Sequence, residues 1–322
     1  MAKRRQGDRL KYVANLTALA AWVYLGSTAL LRLGAEKLFG FFHASATLDN
    51  PIAVPEWILG ICNLILPAAG LILAFGMMKA AVRNSSMRLH ISFDLPRKGE
   101  LWLFVPVFLG ISLACSLGTS TLQRFWESYT SYQTPESVRL PKSGFAMLLY
   151  FLGICVIPAI FEELFVRGAV QKLLSHWGAW FSIVVSSVLF SLLHQDIAQM
   201  PATFVASVLM GLAAYCTGSL AAGMVVHLAN NTMSFCFLYA TQKLDGVSAF
   251  GLTVYLTMIF CGAAVGCAVV IHRKKLMRLF KPIPRVYDPK NRQSRLERLL
   301  TSPLFLLTFV GLAIRAVLPL FG

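Results

Sequence analysis

Acidic residues are scarce in this chain: 14 Asp and Glu stand against 29 Lys and Arg, and charged residues make up only 13% of 322 positions. So little charge, beside 57% hydrophobic residues and a mean hydropathy of +0.67, excludes an ordinary soluble domain. No CxxC or paired cysteine pattern exists. The seven cysteines (Cys62, Cys115, Cys155, Cys216, Cys236, Cys261 and Cys267) fall almost wholly in apolar segments and read as small core residues. HExxH is missing, which excludes the commoner helical zinc site. There is no internal repeat and no low-complexity tract. The first apolar stretch has no clear small-residue cleavage site, so it is expected to stay as a membrane anchor.

What is present is a series of long apolar runs. A membrane span needs roughly 20 such residues. On that template helices are expected near 13–33, 57–78, 101–121, 144–172, 177–194, 201–217, 219–240, 249–271 and 303–321. The expected fold is therefore all-α: a polytopic transmembrane helical bundle of eight or nine spans, one integral membrane domain over 1–322. The segments 34–56 and 122–143 read as short outward loops. The net charge of +15 is concentrated at Lys3–Lys11, Lys79–Lys98 and Arg273–Arg298. With nine alternating spans these clusters share one side, which the positive-inside rule makes cytoplasmic, with the N-terminus there too. The basic excess thus reflects topology and attraction to anionic lipid, not nucleic acid. The stretch 272–302, with Pro282, Pro284 and Pro289, reads as a basic cytoplasmic loop. Arg315, in the last span, reads as a snorkelling residue.

Within this apolar background, Glu162, Glu163 and Arg167 are conspicuous, because an ionisable group near the bilayer centre costs at least a few kcal/mol and marks a functional site by default. Glu163 and Arg167 are four apart and share a helix face, whereas Glu162 is rotated by about 100° and can point elsewhere. One glutamate can therefore be held in an ion pair while the other stays available as a general base. The plainer reading is an ion pair that locks two helices.

Two further polar groups fall on the core segment 144–240. Phe190 and His194 share a face at the end of one helix, with Phe190 as an aromatic wall or core residue. His227 and Asn231 share a face in the middle of another, as oxyanion donors or as interhelical glue. If the chain reverses near 176, Glu163 and His194 lie roughly 20 and 27 Å from the turn at 1.5 Å per residue and can face each other. His227 rises only roughly 14 Å from a turn near 218, so it matches them only if its helix is displaced.

In order, these motifs read EExxxR, FxxxH and HxxxN, and over residues 161–231 they resemble the CAAX protease and bacteriocin-processing family of intramembrane glutamic endopeptidases. The resemblance implies a polar cavity inside the membrane where Glu162 and His194 activate a water that attacks a peptide carbonyl. It implies that Glu163 and Arg167 orient the site and that His227 and Asn231 form the oxyanion hole. The substrate it implies is a lipid-anchored or membrane-associated polypeptide. Prenylated CAAX proteins are the substrates of eukaryotic relatives, whereas a short chain without an organelle signal points to a bacterial cell membrane. No cofactor is required. A zinc-dependent version, with Glu162, His194 and His227 as ligands, is the alternative, as is a non-enzymatic carrier or immunity scaffold using the same cavity. The lack of repeat halves and of paired broken helices weighs against a carrier.

Overall fold

The computed structural model describes residues 2–42, 54–87, 89–94, 100–134, 139–273 and 295–321, and among them there is helix and no strand. The helices are α1 (Ala2–Phe42), α2 (Glu56–Ala81), α3 (Glu100–Tyr129), α4 (Gly144–Trp177), α5 (Ala179–Leu193), α6 (Met200–Thr217), α7 (Leu220–Lys243), α8 (Gly246–Arg273), α9 (Arg295–Leu300) and α10 (Pro303–Val317). Seven of these are long and apolar enough to cross a membrane. The other two expected spans differ for separate reasons. Helix α5 is apolar but only 15 residues long, and α7 has the length but carries His227, Asn230 and Asn231. The chain is an all-helical integral membrane protein.

Helix ends follow the punctuation in the sequence. Ser143 caps α4 by accepting from Ala146 N, and Ser219 caps α7 by accepting from Ala221 N at 3.2 Å. Gly178, at φ +130°, makes the reversal between α4 and α5, a backbone conformation open to glycine and strained for other residues. Pro201 and Pro303 sit in the first turns of α6 and α10, where a missing N–H is harmless. Two helices run eight or more residues past their expected ends. α3 continues to Tyr129, eight residues into the expected outward loop, because Phe125 packs edge-on against Trp126 and at a tilt against Tyr129, and local hydroxyls, such as Ser128 Oγ to Arg124 O, satisfy themselves on the helix. α1 similarly extends to Phe42. Residues 274–294 of the expected basic loop lie outside the described residues. Its last part is helical as α9, where Arg295 donates to Trp177 O and lies over the Phe181 ring.

Helix α4 occupies the middle of the bundle, packed by α2, α5 and α7, and its buried residues Phe165, Val166, Ala169, Val170, Leu173 and Leu174 form the centre of the main core. Close approach depends on small residues, as is usual where lipid removes the hydrophobic drive between helices. A Cβ at Gly110 of α3 would lie 2.6 Å from Phe260 O of α8, so only glycine lets these two helices meet. The cysteines are unpaired: Cys155 is buried, Cys236 is exposed, and the others are half-buried, so the core assignment describes Cys155 best.

Candidate active site

The site is built on irregular helix. α4 passes through two π-helical stretches, Leu152–Val156 and Leu164–Gln171, on either side of Glu162 and Glu163. Such wide turns recur at functional sites because they free backbone groups and re-aim side chains. Pro158 adds to this, having no N–H to give the carbonyl of Ile154. Asn231 Nδ2 of α7 donates to that carbonyl at 3.2 Å.

Glu163 is fully buried. Its Oε1 accepts from Arg167 Nη1 at 2.7 Å and from His227 Nδ1 at 3.0 Å. Arg167 is equally buried, and its Nη2 donates to both the carbonyl (2.9 Å) and the hydroxyl (2.7 Å) of Ser207 on α6. Three helices are thus tied through one guanidinium and one carboxylate. The second oxygen of Glu163, Oε2, has no hydrogen-bond partner and rests against Gly223, where a Cβ would approach to 2.7 Å.

Glu162 is held differently. Its side chain is 24% exposed and makes no hydrogen bond, and its Oε2 lies 3.9 Å from His227 Nε2. That gap is too long for a direct hydrogen bond and short enough for one water to touch both groups. Glu163 thus pairs with Arg167 four residues on, as they share a helix face, while Glu162 points elsewhere. Because Glu163 is the acceptor at Nδ1, that nitrogen of His227 carries a proton and Nε2 is the one that faces Glu162.

Phe190 lies at the junction of the remaining groups. The Arg167 guanidinium sits 4.9 Å over its ring, His194 packs against it at a tilt with centroids 4.7 Å apart, and His227 meets its edge at 6.1 Å. His194 itself bonds neither glutamate. Its Nδ1 donates to Phe190 O at 2.8 Å, which leaves Nε2 with a free lone pair in the neutral ring. The turn after His194 is braced from outside. Gln195, at φ +57°, is the one non-glycine with positive φ among the described residues. Buried Asp196 accepts from Tyr132 Oη (2.9 Å), Ala198 N (2.9 Å) and Gln199 Nε2 (2.6 Å).

The depth mismatch foreseen for His227 is resolved by where α7 begins. Leu220 lies level with Gly168, since a Cβ there would come within 3.4 Å of Leu220 Cδ2, and Leu220 N is held by Ser92 O at 2.9 Å. Helix α7 therefore starts well inside the end of α4, and seven further residues bring His227 beside Glu163.

For zinc, Glu162, His194 and His227 are the residues in question, and among the described residues no three His, Cys, Asp or Glu side chains converge to hold a metal ion. His227 gives Nδ1 to Glu163, and the ring of His194 lies against Phe190 with its Nδ1 given to the Phe190 carbonyl. The donors present do not fit a three-ligand site.

Four contributors were not singled out in the sequence: Ser207, Gly223, Asp196 and Tyr132. A signal existed only for Gly223, which precedes His227 by four residues and so shares its face. The others are ordinary polar residues whose partners lie 40 to 64 positions away.

No curated protein and no solved structure matches the chain. Residues 144–233, which run from the start of α4 into α7, match the family model described as Type II CAAX prenyl endopeptidase Rce1-like. The matched segment carries Glu162, Glu163, Arg167, Phe190, His194, His227 and Asn231, and the description of that model agrees with the family that the three motifs resemble.

Proposed function

We propose that this protein is an intramembrane endopeptidase that hydrolyses a peptide bond in a lipid-anchored or membrane-associated polypeptide without a metal. One observation carries the reading: Glu163 is buried and fixed by Arg167 and His227, while Glu162 beside it is partly exposed, unbonded and 3.9 Å from His227 Nε2. A locked carboxylate next to a free one is the arrangement that leaves a base for water.

In this mechanism Glu162 takes a proton from the attacking water, and His194, with its ring against Phe190 and its Nε2 lone pair open, is the second acceptor that orients that water. Attack on the carbonyl carbon builds negative charge on its oxygen. The donors for that oxyanion are the second N–H of Asn231 Nδ2 and, with the ring protonated at both nitrogens between the two glutamates, His227 Nε2–H. Glu163 and Arg167 hold His227 in register, and Phe190 walls the site. The proton taken by Glu162 then passes to the leaving amine as the bond to the carbonyl carbon breaks.

The test is cleavage of membrane-polypeptide and lipidated-peptide libraries by the purified chain, read by mass spectrometry, with and without a strong chelator and beside His194→Ala. Product from the wild type alone, unaffected by chelator, supports the proposal. Loss on chelation, restored by zinc, moves the reading to a metallopeptidase, and no product from any library favours the carrier or scaffold.

A further inference from the structure

Helix α7 carries a second asparagine, which the proposed chemistry does not use. Asn230 precedes Asn231 and is rotated from it by about 100°, off the face that His227 and Asn231 share. It meets α3, which packs against α7. There the hydroxyl of Ser112 donates to Asn230 Oδ1 at 2.5 Å, and Asn230 Nδ2 donates onward to Asn231 Oδ1 at 3.3 Å. With the bond from Asn231 Nδ2 to the Ile154 carbonyl, a single chain runs from a hydroxyl of α3 through two amides of α7 to the first π-helical stretch of α4.

Donation along this chain can run in only one direction. The Ile154 carbonyl can only accept, so Asn231 must turn its NH2 toward α4 and its oxygen toward Asn230. Asn230 must then present its own NH2 to that oxygen, which leaves its Oδ1 for Ser112, whose hydroxyl hydrogen rotates into line. Reversing the Asn231 amide would set oxygen against the Ile154 oxygen and NH2 against NH2. The chain therefore fixes where the second N–H of Asn231 points. It also strengthens that donor, because an amide that accepts at its oxygen is polarised to give more readily at its nitrogen.

We propose that Ser112 and Asn230 are positioning residues: they hold the Asn231 amide so that its second N–H meets the oxyanion, and through Ser112 the helix α3, outside the matched segment 144–233, takes part in the reaction. The proposal rests on the endopeptidase reading, in which that N–H is an oxyanion donor. The other donor, His227, is held separately by Glu163, so loss of Ser112 or Asn230 leaves it in place.

The test is steady-state kinetics of the purified full chain on a substrate identified from the libraries, for wild type, Ser112→Ala, Ser112→Thr, Asn230→Leu, Asn231→Ala, the double variant Ser112→Ala/Asn231→Ala, and Ser116→Ala. Ser116 lies one turn further along α3, exposed and bonded to the backbone of its own helix, and controls for loss of a hydroxyl. Ser112→Ala is expected to lower kcat about threefold and Asn230→Leu about tenfold, each with KM unchanged, while Ser116→Ala leaves both constants as they are. Ser112→Thr, which keeps a hydroxyl, should recover the rate lost in Ser112→Ala. In the Asn231→Ala background Ser112→Ala should cost nothing more, because the group it positions is gone. The proposal is overturned, with the peptidase reading intact, if Ser112→Ala and Asn230→Leu turn over like the wild type, if their losses fall on KM or are matched by Ser116→Ala or Ser112→Thr, or if Ser112→Ala costs as much without Asn231 as with it. A wild type that cleaves nothing, or an Asn231→Ala variant with full rate, overturns the reading itself and the proposal with it.

Discussion

Glu163 and His227 meet across α4 and α7 at 3.0 Å between Oε1 and Nδ1, and the same oxygen takes Arg167 Nη1 at 2.7 Å. That three-way contact turns two motifs far apart in sequence into one rigid unit, with Ser207 extending it to α6.

Because both charges of the Glu163–Arg167 pair are buried, removing one leaves the other without compensation. Arg167→Leu is expected to destabilise the fold by about 3 kcal/mol or more, and Glu163→Leu/Arg167→Leu less than either single change, since no charge is then stranded. Unfolding in detergent against denaturant concentration measures this. Additive losses would mean that the pair is not the unit described.

Gly223 is the floor under Glu163. In Gly223→Ala the new methyl would press on Oε2 from 2.7 Å, and the carboxylate, held by two partners, must swing away and draw His227 with it. Helix content by circular dichroism should be retained while turnover falls on the order of a hundredfold, the usual cost of moving a catalytic group by about 1 Å.

Asn231 has one observed bond and one proposed role, and the two are separable. Its bond reaches the Ile154 carbonyl, to which Pro158, four residues on, has no N–H to donate. Asn231→Ala should therefore cost about 1–3 kcal/mol of stability, and Pro158→Ala in the same chain should restore part of it by supplying the N–H. Turnover should stay about a hundred- to a thousandfold low in both if Asn231 is also an oxyanion donor. Full recovery of rate in the double variant would reduce Asn231 to glue.

Much of this was legible in the sequence, and the exceptions have physical causes. Apolar runs mark the spans because lipid demands them. The four-residue spacing of Glu163 and Arg167 marks the pair because helix pitch enforces it, and it correctly separates Glu162 from its neighbour. The meeting of His227 with Glu163 was not legible, since it depends on where α7 starts, which is set by the Ser92–Leu220 bond between distant segments. Nor were the π-helical turns of α4, whose residues have no distinct composition. The loop expected from 122 starts eight residues later, because serines, threonines and aromatics that look like loop on a hydropathy scale satisfy their polar groups within the helix.

The turn after His194 offers a pH test. Burial and the hydrogen bond to Asp196 push the Tyr132 hydroxyl from its ordinary 10.0 up to about 12. A raised value means that the neutral form is the one the fold favours, so the bond contributes fully below about pH 10 and is lost as pH rises toward 12. Tyr132→Phe should melt below the wild type at pH 8, and the gap should narrow steadily above pH 10. A gap that does not change with pH would assign the effect to packing alone.

The most direct measurement is turnover of Glu162→Gln beside Glu163→Gln on one identified substrate, with the melting temperature of each. Glu162→Gln is expected to lose on the order of a hundred- to ten-thousandfold in rate with its melting temperature unchanged, because this side chain is a base with no structural bond, whereas Glu163→Gln should lose both. Full activity in Glu162→Gln would contradict the assignment of the base and with it the proposed mechanism.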